Sequence, residues 1–468
     1  MKSLTMNKNK SFFKSIPQPP VLLFFILVLV CVMSWVIPAG IFDREDVNGR
    51  QAVVPGSYHY VDSSPLNPLD LIFSIPQGLT SAGSLIFITL IAGGLFRIIN
   101  TTGALENLVA VCVRRIGIKN KTLAVWFFTY VYGALGVVVG YETNIALIPV
   151  AVLVGRAIGG DVMVGLGIAL GGIGFGFATS PINPYTVGIS QSIAELPLFS
   201  GLILRTVLAL TILSVVAHHT SRYLKKIQEN PNKSLSSGVS ANGLELKYGV
   251  EKYALKTSDI KVLLVFVSGL VFMLYGVFAH HWYINEIAGI FLATAVFCGF
   301  TSGMNTNDIV ENLFKGASAV TSGALLIGLA RAIQVLLDQG QIGDTIVAFL
   351  AGTIGDFPVV FSSIIMSVVH GLINILIPSG SGQAMATMPI LIPLSDLVGM
   401  TRQVSVLAFQ IGDGFTNLIA PTSGSTLAML AMVGMPYHLW LRFAFPLVIK
   451  CFLVSFVFLA IAVMIGWQ

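Results

Sequence analysis

Long apolar stretches alternate with short polar segments along this chain, and each stretch can cross a membrane as a helix. A membrane-spanning helix needs about 20 apolar residues. One stretch has polar residues in the middle and basic residues at both ends, so it is predicted to return to the side from which it enters. An internal repeat predicts a second stretch of this kind. The pattern predicts an all-α polytopic membrane protein with about nine transmembrane helices. The predicted crossings are Val21–Phe42, Gly78–Ile99, Asp161–Ile193, Gly201–His218, Val262–Phe278, Glu286–Ser302, Gly316–Leu337, Val404–Val433 and Ala444–Ile465.

The composition narrows the class of protein further. Hydrophobic residues make up 55% of the 468 residues and charged residues only 10%, whereas soluble domains carry about 25% charged residues. This balance excludes a soluble globular protein, a disordered tail and a nucleic-acid-binding protein. A net charge of +5 is too small to indicate a polyanionic partner. The expected partners are membrane lipid and a small-molecule substrate.

The positions of the lysines and arginines predict the topology, because positive residues are retained on the cytoplasmic side. The tail formed by residues 1–20 carries four lysines and no acidic residue, so the N-terminus is predicted to be cytoplasmic. Nine crossings then leave the C-terminus extracytoplasmic, and a bacterial inner membrane is the expected location. Residues 221–261 form the longest polar segment and are interpreted as a cytoplasmic linker. The linker separates a first transmembrane repeat, 21–220, from a second, 262–468.

The two stretches that return to their own side are predicted to be re-entrant hairpins, at Thr122–Gly155 and Val359–Leu397. Polar, glycine-containing tips at membrane depth are tolerated only where they are buried in protein or line a cavity. Two of the crossings are predicted to be broken helices, because Pro181 and Pro184 in one and Pro421 in the other interrupt polar runs. Proline cannot continue a regular helix.

The two halves are related by an internal repeat. A constant shift of 240 residues places Gly140 on Gly380 and Pro181 on Pro421, among other matches, with no gap between them. The crossing count makes the first hairpin open to the cytoplasm and the second to the outside, so the repeats are predicted to be inverted. Inverted repeats with broken helices that meet at the bilayer midplane are typical of secondary transporters. Hairpin tips and helix breaks are therefore predicted to form one substrate site.

The candidate site residues lie at the two tips and the two breaks. Exposed helix ends bind ions, and hydroxyl or amide side chains hydrogen-bond a carboxylate or coordinate sodium. A buried charge in a span indicates function, so Glu142 and Asp413 are candidates for the coupling ion, and Glu142 also for a substrate ammonium. Each hydroxyl and amide residue taken singly also fits a helix cap. The predicted substrate-binding residues are Glu142, Thr143, Asn144, Ser180, Asn183, Thr186, Ser379, Ser381, Gln383, Asn417, Thr422, Ser423 and Ser425.

Several motifs resemble those of one carrier family. Its second-half signature is similar to the runs Ser379-Gly-Ser-Gly-Gln383, Arg402-Gln-Val-Ser-Val-Leu-Ala-Phe-Gln410 and Gly412-Asp-Gly-Phe415. These resemble the YfcC-like family, which is grouped with arginine/ornithine antiporters in the ion transporter superfamily, near the C4-dicarboxylate carriers. The resemblance implies an elevator-type carrier, amino acid transport by an antiporter, and a homodimer. It leaves the substrate open among amino acids, dicarboxylates and peptide-like acids.

The sequence departs from the antiporter branch at the first hairpin tip. That branch tends to have two acidic residues there, whereas here Tyr141 precedes Glu142. The difference puts recognition of a doubly cationic substrate in doubt. The leading hypothesis is therefore ion-coupled uptake or exchange of an amino acid or small organic anion, driven by a proton or sodium gradient or by exchange. C4-dicarboxylate transport is the alternative, in which Glu142 would bind only the coupling cation and not the substrate.

Other functional classes fit the sequence less well. Asp413 follows Gln410-Ile-Gly, which lacks the first glycine of the G-x-G-D motif of intramembrane aspartyl proteases. Neither an H-E-x-x-H nor a Walker motif occurs, so the protein is not expected to be an enzyme. A channel or the permease subunit of a pump remains a distant alternative. No cofactor is expected, and no metal site apart from sodium or proton coupling.

Overall fold

The computed structural model describes residues 19–47, 50–63, 65–116, 120–240, 244, 252–280, 282, 284–354 and 357–468. Helices dominate these residues, in agreement with the predicted all-α membrane protein. The described part of the first half has four short strands, which form two antiparallel pairs. The pairs are β1 (Gly40–Ile41) with β4 (His59–Tyr60) and β2 (Arg44–Val47) with β3 (Arg50–Val53). Residues 1–18 of the predicted tail and parts of the linker 221–261 lie outside the described residues.

The helices of the first half lead from the first apolar stretch to the start of the linker. A hairpin is formed by α5 and α6, and α7 is followed by an irregular break and a short helix. The bounds are α1 (Pro19–Met33), α2 (Pro68–Ser81), α3 (Gly83–Thr102), α4 (Ala104–Ile116), α5 (Lys121–Val139), α6 (Ile148–Ala157), α7 (Val162–Ala178), α8 (Ile189–Ile193) and α9 (Leu202–Glu229).

From α12 onward, the second half repeats the order of helices that the first half has from α2 onward. Its hairpin is formed by α14 and α15, and its broken helix by α16 and α17. The bounds are α10 (Thr257–His280), α11 (Ile284–Thr301), α12 (Thr306–Gln339), α13 (Gly343–Gly352), α14 (Val359–Leu376), α15 (Gly380–Leu397), α16 (Arg402–Thr416), α17 (Gly424–Met432) and α18 (Tyr437–Met464).

The element bounds follow the shift that relates the two sequences. With a shift of 240, the last residue of α6 falls on the last residue of α15, and the first residue of α7 falls on the first residue of α16. With a shift of 238, the start of α2 falls on the start of α12. The repeat therefore extends from sequence to the order of helices and hairpins. The opposite membrane orientation of the halves stays a prediction.

Several predicted crossings have different bounds in the structure. Three helices are longer than predicted: α9 ends at Glu229 instead of His218, α12 begins at Thr306 instead of Gly316, and α18 begins at Tyr437 instead of Ala444. The first crossing ends at Met33 instead of Phe42, and the chain after it forms the short strands. The second begins at Pro68 instead of Gly78, because Asn67 caps the helix with its side chain and Pro68 occupies a favourable first position. It is also interrupted at Ala82, between α2 and α3. Sequence reasoning missed α4 and α13, which are too short to cross a membrane.

Eight helices among the described residues are long and apolar enough to cross a membrane. Two of these, α5 and α14, are the first arms of the hairpins. The remaining six, together with the shorter α1 and the two broken helices, give the nine predicted crossings. The eight helices are α3, α5, α9, α10, α11, α12, α14 and α18.

The helices pack in two groups. In one, α12 packs along α2 and α3, while α11 packs on α3 and on α10. In the other, the hairpins pack on α7 and α16, with α9 and α18 against them. Gly93 and Gly316 let α3 and α12 meet, since a Cβ built on Gly93 would lie 2.7 Å from the Gly316 carbonyl oxygen. The broken second helix connects the groups, because α17 also packs on α12.

Candidate functional site

The first hairpin tip turns sharply after α5. Gly140 has φ +111° and ψ −170°, a conformation that is essentially restricted to glycine. The chain then forms a 3-10 helix over Glu142–Leu147 before α6 begins. The Asn144 side-chain amide donates to the Gly140 carbonyl oxygen over 2.6 Å and closes the turn. The tip is therefore a defined loop that fixes the direction of Glu142.

Glu142 is held by the second broken helix. The Ser425 hydroxyl donates to Glu142 Oε1 over 3.1 Å, and Ser425 lies in the first turn of α17. The neighbouring Tyr141 hydroxyl shares a 2.7 Å hydrogen bond with the Thr426 hydroxyl. Two consecutive residues of the first tip are thus bound to two consecutive residues of α17, which are 283 or more positions away in sequence.

The first helix break follows Ala178 and is stabilised by polar side chains. Ser180 donates its hydroxyl proton to the Val137 carbonyl oxygen over 2.8 Å. Asn183 accepts from the backbone N–H groups of Tyr185 and Thr186, at 2.8 and 3.3 Å. It caps a single π-helical turn, Pro184–Gly188, that leads into α8. The sequence allowed either a capping role or a binding role for Ser180 and Asn183. At this break both side chains hydrogen-bond the backbone, as capping residues do.

The second hairpin tip is tightly packed on the first break and on α16. Ser379 caps α15 by accepting from the Gly382 N–H over 3.3 Å. A Cβ built on Gly380 would lie 2.7 Å from Thr186 Cγ2 and 3.3 Å from Asp413 Oδ2. The Gln383 amide donates to the His370 carbonyl oxygen over 2.9 Å and so joins the two arms of the hairpin. This tip has no room for a side chain at Gly380.

The second break joins α16 to α17 through a polar cluster. Asn374 on α14 donates to the Asp413 carbonyl oxygen at 2.9 Å and to Asn417 Oδ1 at 3.0 Å. Thr426 donates to the Asn417 carbonyl oxygen over 2.5 Å, and Ser423 donates to the Thr426 hydroxyl over 3.1 Å. These bonds satisfy backbone groups that the break leaves without helical partners.

Both hairpin tips and the second break border one cavity of about 290 Å³. This volume is close to the lower limit for small-molecule sites, about 300 Å³. The rest of the wall comes from the junction of α2 and α3, from Tyr185 and from α11 and α12. The polar side chains that line it belong to Ser81, Ser84, Glu142, Thr143, Tyr185, Arg331, Ser379, Ser381, Thr422 and Ser425.

Among the described residues, the cavity wall contains one acidic and one basic side chain. Glu142 comes from the first tip and Arg331 from α12, in the other group of helices. The Arg331 guanidinium hydrogen-bonds Gln334, one turn further along the same helix. The side chain of Arg331 lines the cavity, although it lies inside a predicted membrane crossing. A charged residue inside a predicted span is a general signal of function.

Asp413 lies behind the second tip and does not line the cavity. It is fully buried in α16, and neither carboxylate oxygen has a hydrogen-bond partner among the described residues. Gly380 of the second tip lies beside it, since a Cβ built on Gly380 would be 3.3 Å from Asp413 Oδ2. Thr186, also buried, has no partner for its hydroxyl in the described part of the chain. Since a buried charge without a partner is costly, a proton or a cation at this carboxylate would stabilise it.

The predicted substrate-binding residues therefore divide into two sets. Those that line the cavity are Glu142, Thr143, Ser379, Ser381, Thr422 and Ser425. The others cap or brace the tips and breaks and do not reach the cavity wall, namely Asn144, Ser180, Asn183, Thr186, Gln383, Asn417 and Ser423. Sequence reasoning missed Ser81, Ser84, Tyr185 and Arg331. Within the described ranges, no group of three or more His, Cys, Asp or Glu side chains is placed to hold a metal ion.

Comparison with known proteins gives the family. The model of the C4-dicarboxylate anaerobic carrier family, DcuC, matches residues 16–464. This chain belongs to the DcuC family of carriers. It is 30% identical over 494 residues to YfcC of Escherichia coli K12, whose name marks it as a candidate basic amino acid antiporter. The alignment covers 97% of each chain. The membership confirms that the protein is a multi-pass membrane transporter and not an enzyme.

Further similarities are weaker. An uncharacterized protein of Haemophilus influenzae is 26% identical over 507 residues, which cover 97% of this chain and 98% of that protein. Two solved structures align with 18% identity and a TM-score of 0.46: MtrF of Neisseria gonorrhoeae, reported among antimetabolite efflux pumps, and the YdaH transporter of Alcanivorax borkumensis. They cover 96% of this chain and, respectively, 96% and 99% of their own.

Proposed function

We propose that this DcuC-family carrier is a secondary active transporter that moves an amino acid or a small organic anion across the bacterial inner membrane. Transport is coupled to a proton or sodium gradient or to exchange. The observation that carries the proposal is the cavity bordered by both hairpin tips and the second helix break, with Glu142 and Arg331 in its wall. In an inverted-repeat carrier, the substrate site is formed where these pieces meet.

The charges of the cavity favour a zwitterion. Glu142 would bind a substrate ammonium, and Arg331 with the hydroxyls of Ser379, Ser381 and Thr422 would bind a carboxylate. A doubly cationic amino acid would need a second acidic side chain, and the described lining has only one. A volume of about 290 Å³ suits a single amino acid better than a peptide.

Asp413 is the second candidate for the coupling ion. It lies behind the tip residue Gly380, so a proton or sodium ion bound there would act on the same hairpin that contacts the substrate. Glu142 is the other candidate, since its carboxylate faces the cavity. The carrier would thus have one carboxylate in the wall of the substrate cavity, Glu142, and one behind the second hairpin tip, Asp413.

The elevator mechanism rests on the resemblance and on the packing of the helices. Hairpins and broken helices form one group with α9 and α18, while α2, α3, α11 and α12 form the other. The cavity lies between them, because Arg331 comes from the second group and Glu142 from the first. Movement of one group past the other would separate these two charges. The homodimer and the cytoplasmic N-terminus belong to the same proposal.

Counterflow in proteoliposomes tests the proposal. Purified protein is reconstituted, and uptake of one labelled amino acid is competed with arginine, ornithine, glutamate, succinate and dipeptides. We expect saturable counterflow without ATP, with stronger competition by an amino acid that has a single cationic group than by arginine, ornithine, succinate or dipeptides. Linear, non-saturable flux would indicate a channel and contradict the proposal.

C4-dicarboxylate transport is the second candidate, favoured by the family to which the chain belongs. In that case Arg331 would bind one carboxylate, the tip hydroxyls would bind the other, and Glu142 would serve only the cation. Strong competition by succinate that survives Glu142→Gln would favour it. If no amino acid competed for uptake by the wild-type protein in the same assay, a zwitterionic substrate would be excluded.

A further inference from the structure

A second cavity, of about 760 Å³, lies between α9 and α18 and has no part in the proposed substrate site. Its wall is formed by the last turns of α9 and by the first half of α18, with Leu235 beyond the end of α9. The lining residues are His219, Arg222, Tyr223, Lys225, Lys226, Glu229, Leu235, Arg442, Phe443, Pro446 and Lys450.

The cavity is strongly basic. Five of its side chains are lysine or arginine and one is acidic, Glu229. None of the five forms an ion pair with a carboxylate of the described chain within 4.0 Å. Lys450 Nζ donates instead to His219 Nδ1 over 3.0 Å. Like charges held in one concave site repel each other, so an anion in the cavity would relieve the repulsion.

The cavity lies where the polar ends of both helices meet their apolar segments. On α9, the apolar run ends just before His218 and His219. On α18, Lys450 is followed at three and seven residues by Leu453 and Val457, which therefore share its side of the helix. These two side chains are 58% and 57% exposed, as expected of side chains that face lipid. The basic wall thus continues directly into an apolar surface.

We infer that this cavity binds the phosphate headgroup of an anionic phospholipid, with the acyl chains along the exposed face of α18. Basic pockets between transmembrane helices hold such headgroups. Lys450 is placed to reach the headgroup level while its alkyl chain stays on the apolar side. The apolar continuation favours a lipid over a free phosphate, which would gain nothing from Leu453 and Val457.

Lipid retention tests the site. The full-length protein is purified in detergent, exchanged into nanodiscs that hold equal amounts of an anionic and a neutral phospholipid, and analysed by native mass spectrometry. The cavity variant is Arg442→Gln with Lys450→Gln. The matched control is Lys256→Gln with Lys261→Gln. These two exposed lysines lie just before and within the first turns of α10, and neither lines the described cavity wall. Each basic residue near a membrane contributes about 1 kcal/mol to the binding of anionic lipid.

We expect the cavity variant to retain the anionic lipid roughly thirtyfold more weakly than the wild type, and the control to retain it unchanged. Glu229→Gln removes the one acidic side chain of the wall and should strengthen retention by roughly fivefold. A gain of binding cannot come from misfolding, so this variant tests the site even if the double variant is unstable.

Equal retention by the wild type and a folded cavity variant would overturn the inference. A second arm adds inorganic phosphate at millimolar concentration. Displacement of the lipid by phosphate as effectively as by a short-chain anionic lipid would assign the site to a soluble phosphate and would also overturn it. Neither arm depends on transport, so failure here is distinct from failure of the proposed function.

Discussion

The two hairpin tips have corresponding positions in the repeat but different chemistry. The first tip inserts a 3-10 turn and directs a carboxylate, Glu142, into the cavity. At the second tip, the position that corresponds to Glu142 is Gly382, and α15 begins at once from the Ser379 cap. From this tip the described cavity wall receives Pro378, Gly380 and the two hydroxyl residues Ser379 and Ser381, none of which is charged. One tip supplies charge, and the other supplies neutral hydrogen-bonding groups and close packing.

The same asymmetry holds for the other charges of the site. Arg331 corresponds to Gly93 at the shift of 238 residues, and Asp413 corresponds to Ile173 at the shift of 240. Each charge near the cavity is therefore present in one half only. The duplication kept the backbone elements that make a broken, polar site at membrane depth. Under the proposed function, residues that differ between the two copies would determine which ligand and ion the site can bind.

The largest effect that separates the tips is expected from Glu142→Gln. Loss of the carboxylate removes a charge-assisted contact worth about 2 kcal/mol, so substrate affinity should fall roughly thirtyfold. The matched change at the second tip, Ser381→Ala, removes a neutral contact worth about 1 kcal/mol and should lower affinity roughly fivefold. Binding is measured by equilibrium titration with the best competitor from the counterflow assay. Equal losses in the two variants would contradict the division of roles.

Close packing at the second tip predicts an effect of comparable size, on stability. Gly380→Ala places a methyl group 2.7 Å from Thr186 Cγ2, and overpacking of this kind costs about 2 kcal/mol. The midpoint of thermal unfolding in detergent should fall. Thr186→Ser removes the opposing methyl group, so the double variant should recover much of the loss. No recovery in the double variant would show that the tip is not packed against the first break.

Backbone conformation at the first tip predicts the smallest effect. Gly140→Ala forces a side chain into a conformation that only glycine adopts readily, at a cost of about 1–2 kcal/mol. A Cβ there meets only Thr143 Oγ1, at 3.7 Å, so the cause is torsional strain and not a clash. Thr143→Ala should therefore fail to restore the unfolding midpoint. Restoration would mean that space, as at Gly380, limits this tip as well.

The sequence predicted the tips and breaks because their cause is local. Proline, glycine and polar residues in an apolar stretch cannot continue a helix, and the 240-residue repeat supported each position independently. The candidate residues were predicted as one set because capping and binding use the same residue types. Only the fold separates Ser381, which lines the cavity, from Ser180, which caps the first break.

Arg331 could not be placed from the sequence because its role depends on the packing of a long helix. α12 spans 34 residues, and its apolar residues surround it without a clear polar face. Which side faces the cavity is decided by contacts with α2, α3 and α17. The amphipathic α4 was missed because its charged residues suggested a polar segment between two crossings. In the structure these residues lie on a helix.

The measurement that tests the central claim most directly is a binding cycle between Arg331, Glu142 and the two ends of an amino acid ligand. Affinities are measured for the amino acid, its amide and its deaminated acid, with wild type, Arg331→Gln and Glu142→Gln. Arg97→Gln is the control, since this arginine of α3 lines a separate cavity. The account predicts that Arg331→Gln weakens the amino acid but not its amide, and that Glu142→Gln weakens the amino acid but not the deaminated acid. Equal weakening of all three ligands by either variant would contradict a site that binds a zwitterion between these two charges.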